Sequence, residues 1–176
     1  MFCTEPFSTE TVAELAQYRA ILETSFGPVT VELFPEKAPN HVRNFLRLAS
    51  LGVYDGCSFH RVVPGFVIQT GDLTTRREPP PDKAMKWVRT LDPEFNDTQH
   101  VKGVVSMAHG DDPASASTSF FIVTAEASYL DDKYTAFGKV DDGMRIVKAI
   151  EALPTDGETP LTPIYLSRVR VERKDQ

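Results

Sequence analysis

Cysteine is nearly absent from this sequence: Cys3 and Cys57 are the only two, far apart, so there is no disulfide framework and both are expected to remain thiols. Long basic runs are missing too. No stretch of Lys or Arg exceeds two residues and the formal net charge is -6, which leaves no electrostatic footprint for nucleic acid or anionic lipid. No apolar run approaches the roughly eighteen residues of a membrane-spanning helix, and the N-terminus has no basic region followed by an apolar one. These absences lead to the expectation of a soluble, cytoplasmic protein with protein or small-molecule partners; a monomer is also expected. The sequence also lacks GxSxG, GxGxxG, a Walker loop and HExxH, so the common hydrolase, dinucleotide, phosphate-loop and zinc-protease engines are not written here.

What is present is a chain of 176 residues, 41% hydrophobic, enough for one domain with an ordinary core. Residues 1–17 read as an N-terminal arm or short helix, with Val12, Leu15 and Ala16 at helical spacing, and residues 18–176 as the domain. Tyr18 to Ser25 and Pro28 to Phe34 form a β-hairpin pattern. Val42, Phe45, Leu46 and Ala49 place an amphipathic helix over 39–51, which Gly52 stops. Two short apolar runs, Phe59–Val63 and Phe66–Thr70, flank the Pro64-Gly65 turn. Residues 73–100, rich in charge and proline, read as a long loop, a class that is often functional. Further strands follow over 103–108, 119–124, 135–140 and 163–172, with a helix over 143–151 capped by Asp142. The pattern is mainly β: eight short strands closing into an antiparallel β-barrel capped by two α-helices. Eight strands leave room only for side chains inside, so a ligand is expected on the outside.

Arg61 stands out against this pattern, because a guanidinium in a half-buried strand must find partners or a ligand. Side-chain alternation puts Phe59, Arg61 and Val63 on one face and Phe66 with Ile68 on one face, and brings Arg61 near Phe66 and Gln69. A salt-bridged structural arginine is the plainer alternative. Other candidate chemistry is thinner. Cys57 and His60 have a C-x-x-H spacing but no second pair, so a core thiol and a core histidine are expected rather than zinc. His100 and His109 read as surface loop residues, and the Asp111-Asp112 and Asp131-Asp132 pairs as solvated turn formers.

The blocks FHRVVPGFVIQTGD, GVVSMAH, SFFIVTA and YLDDKYTAFGKV, preceded by APNHVRNF, resemble the cyclophilin-type peptidyl-prolyl cis/trans isomerases in order and spacing across roughly residues 18–172. That resemblance implies a barrel with two helices that rotates X-Pro peptide bonds in unfolded or flexible proteins without cofactor or metal. It implies catalytic roles for Arg61, Phe66 and Gln69, a proline slot from Phe66, Phe121 and Leu130 with Val67 at its rim, and substrate pairing by the main chain of Ala108 and His109. Tyr134 stands where many members have histidine, and Gly110 keeps a neighbouring entrance open. Ser119 replaces the family's usual glutamine, and the segment 76–83 replaces a glycine-rich loop near the pocket for residues before proline. Tyr129 replaces a tryptophan, which is expected to weaken cyclosporin binding. A proline-peptide-binding scaffold of the same fold, with little turnover, is the alternative; the intact set Arg61, Phe66, Gln69 and Phe121 argues against it.

Overall fold

In the computed structural model, which describes residues 4–175, strand β2 (Gly27–Leu33) buries Val29, Val31 and Leu33 and leaves the residues between them more exposed, the alternation its sequence carries. It pairs with β1 (Tyr18–Thr24) as the expected hairpin. The strands that follow are β3 (Cys57–Ser58), β4 (Arg61–Val63), β5 (Val67–Thr70), β6 (Val104–Met107), β7 (Phe120–Val123), β8 (Ala136–Asp142), β9 (Thr155–Asp156), β10 (Thr159–Pro160) and β11 (Tyr165–Arg173). Nine of them form one antiparallel sheet in the order β3-β11-β1-β2-β8-β6-β7-β5-β4, while β9 and β10 make a separate small hairpin.

The mainly β architecture expected from sequence is therefore present, with two differences of detail. The eight expected strands are joined by a ninth, β3, two residues long and paired with Tyr165 and Leu166. The curled sheet has β3 and β4 at its two ends, and these are joined through Phe59-His60 of the chain itself instead of by a hydrogen-bonded ladder. The last strand carries a β-bulge: Arg168 faces Glu23 and Leu166 faces Thr24, so Ser167 is the extra residue.

Two apolar clusters lie on the two faces of this sheet. Inside the curl, Phe45 meets Tyr54, Phe120 and Phe137 with ring centroids 5.2 to 5.4 Å apart, surrounded by aliphatic residues from β1, β2, β11 and both longer helices. Those helices are α2 (Pro39–Ser50), packed against β11, and α4 (Met144–Glu151), packed against β2, β4 and β5; α1 (Val12–Leu15) and α3 (Asp82–Met85) are single turns. On the other face, Val67, Val104, Phe121, Val123, Ala127, Leu130 and Ala136 form a second cluster. Strand β7 serves both, sending Phe120 and Ile122 inward and Phe121 and Val123 outward, which is why its four residues are all apolar and all buried.

Two local expectations are corrected. Helix α4 is preceded not by a capping Asp142, which ends β8, but by Gly143 at φ 104°, where a Cβ would lie 2.7 Å from the Pro28 carbonyl oxygen. The 73–100 segment is no loose loop: Leu91 bridges to Ala116, Trp87 packs on the main core rather than among polar groups, and Asn96 donates to the Glu94 and Ala136 carbonyls. Cys57 is buried; Cys3 lies outside the described residues.

The most consequential tie from that segment is Glu94. Helix α2 has no side-chain cap of its own, and Pro39 occupies its first turn; Glu94 supplies the cap from far along the chain by accepting from the Asn40 amide at 3.1 Å and the His41 amide at 2.8 Å. The His41 ring adds a 2.6 Å contact to the same carboxylate. Burial pushes the Glu94 carboxyl up, but the His41 ring and the two amides outweigh it and hold it below the usual carboxylate range. A depressed folded-state value means stability present above about pH 4.3, the unfolded value, and lost as the pH falls through the folded one. Glu94→Ala is expected to lower the unfolding free energy by about 2 kcal/mol near neutral pH in urea titrations. The gap from wild type should narrow towards about pH 3; a gap independent of pH contradicts the ionised cap.

Candidate active site

The outward apolar cluster is not fully covered. A cavity of about 260 Å³ opens in it, lined by Arg61, Phe66, Val67, Gln69, Ala108, His109, Phe121, Leu130 and Tyr134. Strands β4 and β5 pair so that Arg61 lies directly opposite Gln69, and β5 pairs with β7 so that Gln69 lies opposite Phe121. Three residues distant in sequence are thus set in one row by ladder register alone. A second cavity of similar size, lined by Gln69, Ala108, His109, Gly110, Ser115, Ser117, Thr118 and Ser119, shares its wall with the first.

The walls of the first cavity are aromatic and ordered. Phe121 and Tyr134 meet edge to face at 5.6 Å, and Tyr134 stacks on His109 at 4.3 Å with 17° between the rings. His109 is fixed by carbonyls on both sides, Nδ1 2.7 Å from the Gly110 oxygen and Nε2 2.8 Å from that of Lys133. Leu130 ends a single 3₁₀ turn, Ser128–Leu130, and its carbonyl receives the amides of Lys133 and Tyr134. Ala108 gives its amide to Ser119, leaving the Ala108 carbonyl and the His109 amide without a protein partner among the described residues.

Arg61 is 37% exposed and stands at the lip. Its Nε donates to Glu158 Oε2 at 2.6 Å, its Nη1 lies 3.4 Å from Gln69 Oε1, and its Cζ lies 5.7 Å from the Phe66 ring centroid. It is both salt-bridged and beside the slot, so the two alternatives posed by the sequence coexist. Hydrogen bonding to Arg61 and its charge hold the Glu158 carboxyl below the usual range.

Of the residues singled out from sequence, nine line the first cavity; Gly110 and Ser119 line only the second. Val67 is buried in the wall instead of forming a rim. Tyr129 lines neither cavity: it is exposed, with its ring 5.6 Å from that of Phe66. Simple side-chain alternation breaks down at two points. Phe59 precedes β4 and packs in the main core, away from Arg61, and Phe66 precedes β5 and sides with Val67, away from Ile68. Segment 76–83 touches neither cavity: Arg76 donates to the Gly52 and Val53 carbonyls and Arg77 lies over Tyr165.

His100 is corrected most sharply. It is buried, not on the surface: its amide and Nδ1 each lie 2.8 Å from Asp131 Oδ1, its Nε2 lies 2.9 Å from Ser106 Oγ, and its ring stacks behind Phe121. It ties the turn that carries Leu130 to strand β6, whose Ser106 pairs with Phe121 of β7. Glu158 was missed as well, although Asp156-Gly157 is the kind of dipeptide that announces a hairpin.

Comparison with known proteins finds relatives in sequence and in fold. Residues 19–171 match the family described as cyclophilin type peptidyl-prolyl cis-trans isomerase/CLD. Human peptidyl-prolyl cis-trans isomerase-like 3 is 35% identical over 154 residues, covering 85% of this chain and 93% of its own. Peptidyl-prolyl cis-trans isomerase-like 1 of Rhizopus delemar is 39% identical over 142 residues, covering 80% and 84%. Among solved structures, the cyclophilin type isomerase of Cryptosporidium parvum, crystallised in the presence of the dipeptide Ala-Pro, superposes with a TM-score of 0.78 at 27% identity, over 89% of this chain and 99% of that one.

Removing the His100 ring takes the Ser106 hydroxyl's side-chain partner and one of the two contacts to Asp131 Oδ1, the backbone amide of residue 100 keeping the other. His100→Ala is expected to destabilise the fold by about 3 kcal/mol in chemical denaturation. It should also accelerate amide exchange at Leu130 and Asp131 more than in β1; uniform acceleration contradicts a local tie.

Proposed function

This chain belongs to the cyclophilin-type peptidyl-prolyl cis-trans isomerases, and from that premise we propose that it turns X-Pro bonds by offering Arg61 to the proline nitrogen at the lip of the Phe66, Phe121 and Leu130 slot. Rotation of an X-Pro amide must overcome a resonance barrier of about 18–20 kcal/mol, and no bond to carbon is made or broken. Catalysis then requires only that the site hold the twisted amide more tightly than either planar isomer. As the bond twists, the nitrogen becomes pyramidal and its lone pair localises, which gives a fixed N–H donor something to meet that neither ground state offers.

The observation that carries this proposal is Arg61's position: at the open edge of an apolar slot, opposite Gln69, with Nη2 unmatched by any protein acceptor among the described residues. A planar fork suits the task, since one edge can be anchored while the other faces substrate. The slot takes the proline ring, and Gln69 faces the substrate carbonyl from the strand beside Arg61. The unpaired Ala108 carbonyl and His109 amide are placed to pair with the backbone of the residues before proline. Ser119, in the adjoining cavity, offers a shorter polar contact than a glutamine would. The substrates proposed are exposed, flexible proline-containing segments. Exposed Tyr129 offers no cavity wall to a bulky cyclic peptide such as cyclosporin, so tight binding of that drug is not expected.

Such a donor in a partly dried groove is worth about 3 to 4 kcal/mol, or a factor of roughly 10²–10³ in kcat. Arg61→Ala is expected to lose that factor on an Ala-Pro tetrapeptide followed by NMR exchange, with KM changed far less. Turnover equal to wild type contradicts the mechanism. Peptide binding without turnover in the wild-type protein would instead favour a proline-binding scaffold.

A further inference from the structure

Arginine at an exposed strand edge does not hold still unaided, because its side chain has four rotatable bonds and water on one side. In this protein one feature outside the cavity restrains it. Strands β9 and β10 pair Asp156 with Thr159 and Thr155 with Pro160, so Gly157 and Glu158 form a two-residue turn. Gly157 has φ 63° and Glu158 is not among the residues of positive φ, which is the type II′ pattern, with glycine required at the first place. Thr155 Oγ1 donates to the Gly157 carbonyl at 2.9 Å and the Leu161 amide to that of Pro154 at 2.9 Å, so the hairpin is closed at both ends.

This hairpin lies along β4, which is otherwise the free edge of the large sheet. The Val62 amide donates to the Glu158 carbonyl at 2.7 Å. The Glu158 carboxylate in turn accepts from Arg61 Nε at 2.6 Å. One residue therefore grips two successive residues of β4, the first by its side chain and the second by its backbone. With Nε engaged from outside the cavity and Nη1 near Gln69, the remaining nitrogen of the guanidinium has no protein acceptor among the described residues.

We infer that Glu158 is a positioning residue for the isomerisation, holding Arg61 by Nε so that its free edge faces the proline nitrogen. The inference rests on the role proposed for Arg61. An exposed ion pair contributes little to stability, so its effect belongs in the rate and not in the fold. A donor displaced by an ångström or freed to rotate loses most of its advantage in the twisted state, while a peptide in the slot loses little of its binding.

The experiment is a cycle of four proteins: wild type, Glu158→Ala, Arg61→Ala and the double variant, with Glu158→Gln beside them, assayed for kcat and KM on one X-Pro tetrapeptide and for thermal midpoint. Glu158→Ala should lower kcat about tenfold, with KM and midpoint close to wild type. Glu158→Gln, which keeps an acceptor oxygen, should recover most of the loss. In the Arg61→Ala background, Glu158→Ala should change nothing further. Full or raised turnover in Glu158→Ala while Arg61→Ala is impaired overturns this inference alone. An equal loss with and without Arg61 also overturns it, since Glu158 would then act by another route. Full turnover in Arg61→Ala removes the role of Arg61 and this inference with it.

Discussion

Everything at the site depends on one pairing at the end of the sheet, Arg61 opposite Gln69 across β4 and β5. A strand edge is the one place where a charged side chain can stay half in water yet be held against an apolar surface, and the ladder fixes its height to within a residue. Moving the pairing by one residue would turn Arg61 into the main core and Val62 out of it, so the same burial that holds the fold together also holds the cation at the lip. The outward cluster does the rest. Phe121 belongs to a strand whose alternate residues anchor the core, so the floor of the slot cannot shift without disturbing Phe120 and Ile122.

The supports of the slot come from segments that touch no substrate cavity. Glu94 caps α2 from the 73–100 segment, and His100, at the end of that segment, binds Asp131 behind Leu130. The long proline-rich stretch is best understood as a clasp. Its Arg76 donates to carbonyls in the turn after α2 and its Arg77 lies over Tyr165 of β11, while the N-terminal stretch is tied to α2 by Arg43, donating to the Phe7 and Glu10 carbonyls, and by Arg47, donating to the Glu5 carboxylate. Polar side chains reaching across to backbone carbonyls do here what a longer regular element would do elsewhere.

Much of this was legible in the residues, and the gaps have physical reasons. Strands of four or more residues announced themselves by period two or, as in β7, by a short continuous apolar run, and α2 by its spaced apolar residues. A strand of two residues, such as β3, β9 or β10, has no period to read. The parity argument placed Arg61 near Gln69 correctly because both lie inside paired strands, but it failed for Phe59 and Phe66, which lie one or two residues outside them, where alternation no longer holds. His100 looked like a surface residue because its neighbours are polar; its burial depends on Asp131, thirty-one positions away. Glu158 gave no signal at all: nothing near it in sequence shows that the turn lies against β4. Long-range polar ties are what a single sequence hides, and here they are what orient the cavity.

The central claim is that the site favours the amide midway through its rotation over both ends. The most direct measurement is two-dimensional NMR exchange on an X-Pro peptide at saturating wild-type protein. The account predicts cis and trans peptide both bound, with comparable affinity, and interconverting on the protein many times faster than the tens of seconds of the free peptide. Tight binding of one isomer with no exchange while bound would contradict it.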